Sequence, residues 1–187
     1  MRRCALLLAL LVLAGCGGSK HAQLAGQAID PPVRAPNFVL EDQSGRKVSV
    51  AAQRGHWLVV TFLYTHCPDV CPLIAAQLNR AIGMKAGRQA LLHVIAVSVD
   101  PERDTLAAVR TYALTHRLAP SFHWAIGTRA QLERVWHSYH VAARPGPRGT
   151  VTHSTFEILV DPGGNERALY DSSLKATALT GDLVKLQ

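Results

Sequence analysis

Trp57 to Tyr64 reads Trp-Leu-Val-Val-Thr-Phe-Leu-Tyr, and Cys67-Pro68-Asp69-Val70-Cys71-Pro72 follows it closely. A stretch so uniformly apolar predicts a strand buried on both faces, as in the centre of a parallel or mixed sheet. Leu73 to Ile82 then reads as a helix. Two thiols therefore sit where a buried strand hands over to a helix. In open α/β sheets the carboxyl end of a strand is where ligands and chemistry collect. The other two cysteines, Cys4 and Cys16, lie in an amino-terminal segment with the features of an address, so Cys67 and Cys71 have only each other to pair with.

That address begins with Arg2 and Arg3 and continues as an unbroken apolar run from Ala5 to Ala14. Ten residues are too few to cross a hydrocarbon core, which takes roughly 20, but they suit the core of a signal peptide. The run closes Leu13-Ala14-Gly15-Cys16, which resembles a bacterial lipobox. Residues 1–15 are then a signal peptide, and Cys16 becomes the lipidated first residue of an exported protein that is anchored to a membrane without spanning it. Residues 16–36, with Gly17, Gly18, Pro31, Pro32 and Pro36, are expected to form a flexible tether reaching about 25 Å on average, with the folded domain at residues 37–187. The extracytoplasmic or periplasmic side so implied permits disulfide and metal chemistry that a reduced cytosol does not.

Turn signals and apolar runs then divide the chain. Short strands are expected at Pro36–Leu40 and Lys47–Val50, around Ser44-Gly45. Beyond the central strand and its helix, which ends near Gly83 to Gly87, Leu91–Val99 is a second buried strand. Asp104 or Thr105 caps a helix running to about His116. Phe122–Ile126 is a strand, and Thr128 caps a helix whose Leu132, Val135, Trp136 and Tyr139 fall at core spacing. Ala142–Gly149 reads as a loop, Val151–Val160 as one strand, Asp161-Pro162-Gly163-Gly164 as a turn, Glu166–Tyr170 as its hairpin partner, and Thr177–Leu186 as a closing helix. The formal charge of +7 comes from scattered residues without a basic stripe carrying interleaved aromatics, which argues against nucleic-acid binding.

This order, with a dithiol between the first central strand and its helix, resembles the thioredoxin fold: an α/β domain with a central mixed sheet flanked by helices. CPDVCP, Asp100-Pro101-Glu102-Arg103-Asp104-Thr105, Ile126-Gly127-Thr128, Thr152-His153-Ser154, Asp161-Pro162 and the anchored amino terminus together resemble the Sco/SenC family. By that resemblance Cys67, Cys71 and His153 match three copper ligands. The implied role is supply of copper to the binuclear centre of cytochrome c oxidase, or reduction of cysteines there, with the copper-site subunit of the oxidase as partner. The chain departs from the family pattern in having Thr152 where an aspartate usually precedes the histidine, Leu106 where a proline often stands, and a lipid in place of an anchoring helix.

The donor types suit the metal. Copper(I) is soft and favours thiolate and imidazole, and two thiolates with one imidazole make a three-coordinate site where structural zinc would want a fourth protein ligand. Pro72 disfavours helical geometry at Cys71 and fits best in a first helical turn, so CPDVC is expected as a tight turn leading into the helix, where unpaired N–H groups favour thiolate. Three other readings stay open at this point. The pair could be a structural disulfide, although so small a loop gains little. It could be a metal-free redox dithiol, with Cys67 attacking and Cys71 resolving. His153 on its own could be a hydrogen-bonded strand residue. His66 is assigned a surface role, since alternation in an extended chain turns it away from Cys67. Asp69 is expected to cap the helix, and Asp100 and Asp104 are turn or cap residues rather than acid–base catalysts.

Overall fold

The computed structural model describes residues 23–187; the expected signal segment and Cys16 lie outside the described residues. The order begins β1 (Gln27–Arg34), β2 (Val39–Glu41), β3 (Lys47–Ser49), β4 (Leu58–Leu63), α1 (Val70–Gly83), α2 (Lys85–Gln89), β5 (His93–Ser98), α3 (Leu106–Thr115) and β6 (Phe122–Ala125). It continues α4 (Arg129–Ser138), β7 (Ala143–Pro145), β8 (Val151–His153), β9 (Phe156–Val160), β10 (Asn165–Asp171) and α5 (Ala176–Leu186).

Six strands form one sheet in the order β1-β10-β9-β4-β5-β6. β4 runs parallel to β5 and antiparallel to β9, and β5 runs parallel to β6. Every residue of β4 is buried, so it occupies the centre that its apolar pattern demands. A fully buried Leu, Val or Phe contributes about 1.5–3 kcal/mol, which makes Leu58 to Leu63 a large share of what holds the sheet together. Alternation sends Phe62 to one face, where its ring lies 5.5 Å from that of Tyr139 just after α4. Thr61 points to the opposite face. Its register partners there run from Trp124 through Ala96 to Glu157 and Tyr170, and α1, α3 and α5 cover them. Asn79 of α1 ties itself to the chain after α3 by donating to the Arg117 carbonyl (3.1 Å) and accepting from the Ala119 N–H (2.7 Å).

The starts of α3 and α4 follow their sequence signals. Thr105 caps α3 by accepting from Ala108 N–H, and Thr128 forms a reciprocal capping box with Gln131 on α4. Gly87 lets α2 lie against the end of α1, since a Cβ there would stand 2.0 Å from the Ala81 carbonyl oxygen.

Three elements differ from the sequence reading. Gln27–Arg34, expected within the tether, is a strand paired antiparallel with β10, so the folded domain begins ahead of residue 37. It is an exposed edge, which tolerates Pro31 and Pro32 and shows no apolar alternation. Ala142–Gly149, expected as a loop, contributes β7, which pairs with β8. Val151–Val160, expected as one strand, breaks at Ser154–Thr155. There Ser154 donates its N–H to the Ala142 carbonyl (3.0 Å) and its hydroxyl accepts from Ala142 N–H (3.2 Å), which turns β8 out of the large sheet.

Candidate metal centre

The chain leaves β4 through Tyr64, still buried. The Cys67 N–H donates to the Tyr64 carbonyl (3.3 Å), closing a β-turn with Thr65 and His66 at its corners. Asp104 fixes this turn from below. One of its carboxylate oxygens accepts the Thr65 N–H (3.0 Å) and the Thr65 hydroxyl (2.6 Å), and the other accepts the Ser98 hydroxyl (2.6 Å). Burial nevertheless holds the Asp104 carboxyl above its usual range. Asp104 is thus a buried anchor rather than a helix cap. Asp100 is buried beside it, paired with the Arg103 guanidinium.

α1 begins at Val70, placing Cys71 and Pro72 in the first turn, where proline is tolerated. Asp69 stands at the N-cap position, but its side chain caps nothing, contrary to the expectation for it. The Cys67 sulfur takes that place, accepting the Cys71 N–H at 3.4 Å, so one of the orphan donors of the helix start faces sulfur. The Cys67 thiol is held well below its ordinary range. The hydrogen bond from the Cys71 thiol is the main cause, and the N–H groups of Asp69 and Cys71 and the Tyr64 hydroxyl add to it against the opposing effect of burial. Cys71 moves the other way, raised by its bond to Cys67 and by burial. Both are free thiols, Cys67 half-buried and Cys71 buried. The asymmetry gives one accessible nucleophilic sulfur and one protected sulfur.

β9 runs antiparallel to β4, so the residues before it arrive at the same end as the dithiol, and His153 is among them. Its Nδ1 lies 2.8 Å from the Ser154 carbonyl. A carbonyl only accepts, which assigns the proton to Nδ1 and leaves Nε2 with a lone pair. Burial pushes the His153 imidazole down, while the Ser154 carbonyl and the Cys67 thiolate act upward. Tyr64 joins the parts. Its ring meets His153 edge-on at 5.8 Å, its hydroxyl oxygen accepts the Val151 N–H (3.4 Å), and the Arg103 guanidinium lies 6.0 Å from the ring centre.

The structure therefore brings Cys67 and Cys71 into contact and His153 to their side of the sheet. It does not set all three in one coordination sphere: among the described residues, no three His, Cys, Asp or Glu side chains are placed to hold one ion. Tyr64, Thr65 and Asp104 had no place in the site read from sequence. The available signal was Tyr64 itself, a polar-tipped aromatic ending a buried strand just before the first cysteine.

A dithiol at the strand-to-helix junction of a mixed sheet with helices on both faces defines a thioredoxin-like α/β domain. Residues 27–187 match the family model described as SCO1/SenC. The chain belongs to that family. A putative copper-binding protein of Stutzerimonas stutzeri is 30% identical over 96% of this chain and 91% of its own length. The mitochondrial SCO1 homolog of Homo sapiens is 30% identical over 73% of this chain and 47% of its own, so the chain spans about half the length of that relative. Among solved structures, Bradyrhizobium japonicum ScoI with copper bound is 30% identical, with a TM-score of 0.69 over 83% of this chain and 100% of that one.

Proposed function

We propose that the protein is a lipid-anchored copper chaperone that holds Cu(I) on Cys67, Cys71 and His153 and passes it to the binuclear copper centre of cytochrome c oxidase. The observation that carries this reading is the pairing of an accessible, thiolate-prone Cys67 with a neighbouring imidazole whose Nε2 bears a free lone pair. That is a soft donor set of the kind Cu(I) prefers, and it agrees with the copper named for the Stutzerimonas and Bradyrhizobium relatives. Loading requires His153 to close on the dithiol. β8 is a three-residue strand paired with β7 and outside the large sheet, so moving it breaks no pairing of the central strands. Cys16 is assigned the lipid that keeps the domain near its membrane-bound acceptor on the exported side.

The inequality of the two cysteines favours a second activity. The Cys67 thiolate would attack an acceptor disulfide to form a mixed disulfide, and the Cys71 thiolate would then displace the acceptor. The acceptor leaves as a dithiol, and its two electrons come from oxidation of Cys67 and Cys71 to a disulfide. The same disulfide abolishes copper binding, so cargo and redox state are linked. The test is an anaerobic Cu(I) titration of the detergent-solubilised protein, first reduced and then oxidised. One tight equivalent that disappears on oxidation is expected. No tight copper in either state, with a disulfide that thiols reduce readily, would leave the reductase.

A further inference from the structure

We propose that His93 and His123, joined by His56, form a second metal site at the amino end of the central strands, separate from the dithiol and suited to a borderline divalent cation of the Zn(II) class. His93 opens β5, and His123 on β6 pairs in register with Ile95, two residues on. The two imidazoles therefore leave the same face of the sheet as diagonal neighbours. Their ring centres are 6.1 Å apart. With metal–N bonds of about 2.0–2.1 Å and a ring centre about 1 Å behind each nitrogen, two imidazoles on one ion have centres about 5–6.5 Å apart. His56 comes from the turn that follows Gln53 and stacks on His93 at 4.3 Å. All three residues are half-buried, so a hydrated ion can reach them.

The surroundings are built as the outer shell of a metal site is built. A ligating imidazole commonly engages a carboxylate or carbonyl through its second nitrogen, which fixes the ring. His123 Nδ1 lies 3.0 Å from one Asp42 carboxylate oxygen, and His93 Nδ1 lies 2.6 Å from the Gln53 side-chain oxygen. Asp42 is itself held in place: its other oxygen accepts the Ser44 N–H (2.8 Å) and the Arg46 N–H (3.1 Å). Both Asp42 and Gln53 are buried. Nε2 is then the coordinating edge of each ring. His56 differs, because its Nδ1 is buried with no partner among the described residues, a demand that a phenyl ring in the same stack would not carry. The three rings do not surround one ion as they stand. His93 and His123 are the resident pair, and His56 joins them by unstacking, which gives up a ring contact and no hydrogen bond of its Nδ1. Imidazoles without a thiolate suit Zn(II) better than Cu(I), which sets this cluster apart from the dithiol.

The test uses the tag-free, detergent-solubilised protein oxidised at Cys67 and Cys71, so that the thiols take no part. Zn(II) alone is titrated by calorimetry. The wild type should bind one equivalent with a Kd of about 10 μM or tighter, and Zn(II) at about 100 times Kd should raise Tm by about 5 °C or more. His93→Gln and His123→Gln should each weaken binding by about tenfold or more, and His56→Gln by a smaller factor. His137→Gln, which replaces an exposed histidine of α4, should leave it unchanged. In the wild type the ¹⁵N resonances of His93 and His123 should shift on adding Zn(II), a reading that needs no variant to fold. No bound Zn(II), binding that survives His93→Gln or His123→Gln, or shifts confined to other histidines would each overturn the proposal. Since the dithiol is closed throughout, none of these outcomes bears on the copper-carrier reading.

Discussion

The two ends of the central strands treat charge in opposite ways. At the carboxyl end of β4 and β5, burial is offset by donors: the Cys67 sulfur is served by helix N–H groups and the Tyr64 hydroxyl, and Asp104 accepts three hydrogen bonds. At the amino end, three imidazoles crowd together. His56 stacks on His93 with ring centres 4.3 Å apart, and His93 lies 6.1 Å from His123. The His93 Nδ1–H donates to Gln53 (2.6 Å) and the His123 Nδ1–H to Asp42 (3.0 Å), while His56 Nδ1 is buried with no partner among the described residues. Burial, then the neighbouring His56 and His123, pushes His93 down to about 4. Both ends aim donors at an acid, the Cys67 thiol at one and the Asp42 carboxylate at the other, whereas at His93 burial and the neighbouring imidazoles all act toward the neutral ring. Depth alone therefore does not set the direction: aimed N–H and O–H groups hold the Cys67 thiol low against burial, while burial and like-charged neighbours together hold the His93 imidazole low.

The comparison breaks most visibly at the thiols. Cys67→Ser and Cys71→Ser should each reduce Cu(I) affinity by about 100-fold or more, read by chelator competition under anaerobic conditions, and neither variant should form an intramolecular disulfide. Equal binding in either variant would remove that sulfur from the site. His153→Ala should cost less, about tenfold, or 1.4 kcal/mol, because the two thiolates remain. Its dithiol should still oxidise and reduce, as a thiol-titration assay would report. Loss of both activities together would mean that the substitution had damaged the junction rather than a ligand.

The central strand and the caps of α3 and α4 were legible because their signals are local. Trp57 to Tyr64 carries its burial in its composition, and Thr105 and Thr128 cap as their positions predict. β1 was not legible, since an exposed edge strand with Pro31 and Pro32 has neither alternation nor strand-forming composition. The break at Ser154–Thr155 was equally silent, because both residues suit a strand and the cause is the bond pair to Ala142, distant in sequence. At the site, the cysteines announced themselves by spacing. The partner of the helix start did not: Asp69 has the right chemistry and position, but the Cys67 sulfur accepts the Cys71 N–H instead. Tyr64 and Asp104 bind elements that only the tertiary fold brings together.

The amino end supplies the next test. The His93 imidazole is depressed in the folded protein relative to its usual value near 6.5, so the unfolded chain binds its proton first as pH falls. Stability is then full above pH 6.5 and is lost progressively toward pH 4. His93→Gln removes that loss. The wild type should drop by a few degrees in Tm between pH 7 and pH 5 relative to the variant, measured by calorimetry on the copper-free protein. Parallel pH profiles would mean that the stack tolerates an imidazolium, and that the two ends are less different than their geometry indicates.

Glu157 lies between these ends and sharpens the argument at the smallest scale. It pairs across the strands with Thr61 and Tyr170 and is 0% exposed. Both carboxyl oxygens lack a hydrogen-bond partner among the described residues. The Thr61 hydroxyl is committed to the Phe156 carbonyl (3.2 Å) and offsets little. Burial, with a smaller contribution from the Asp171 charge, pushes the Glu157 carboxyl up to about 8. A carboxyl raised in the fold favours the folded state while it is protonated. Its contribution is full below the unfolded value near 4.5 and fades as pH rises through 8. Glu157→Gln keeps the shape and removes the ionisation. The variant should match the wild type near pH 4.5 and exceed it by about 1–3 kcal/mol near pH 8, or about 2–4 °C in Tm for each kcal/mol in a domain of this size. A destabilised variant at pH 8 would show that the carboxylate has found donors after all, and that aimed groups reach the middle of the sheet as well as its carboxyl end.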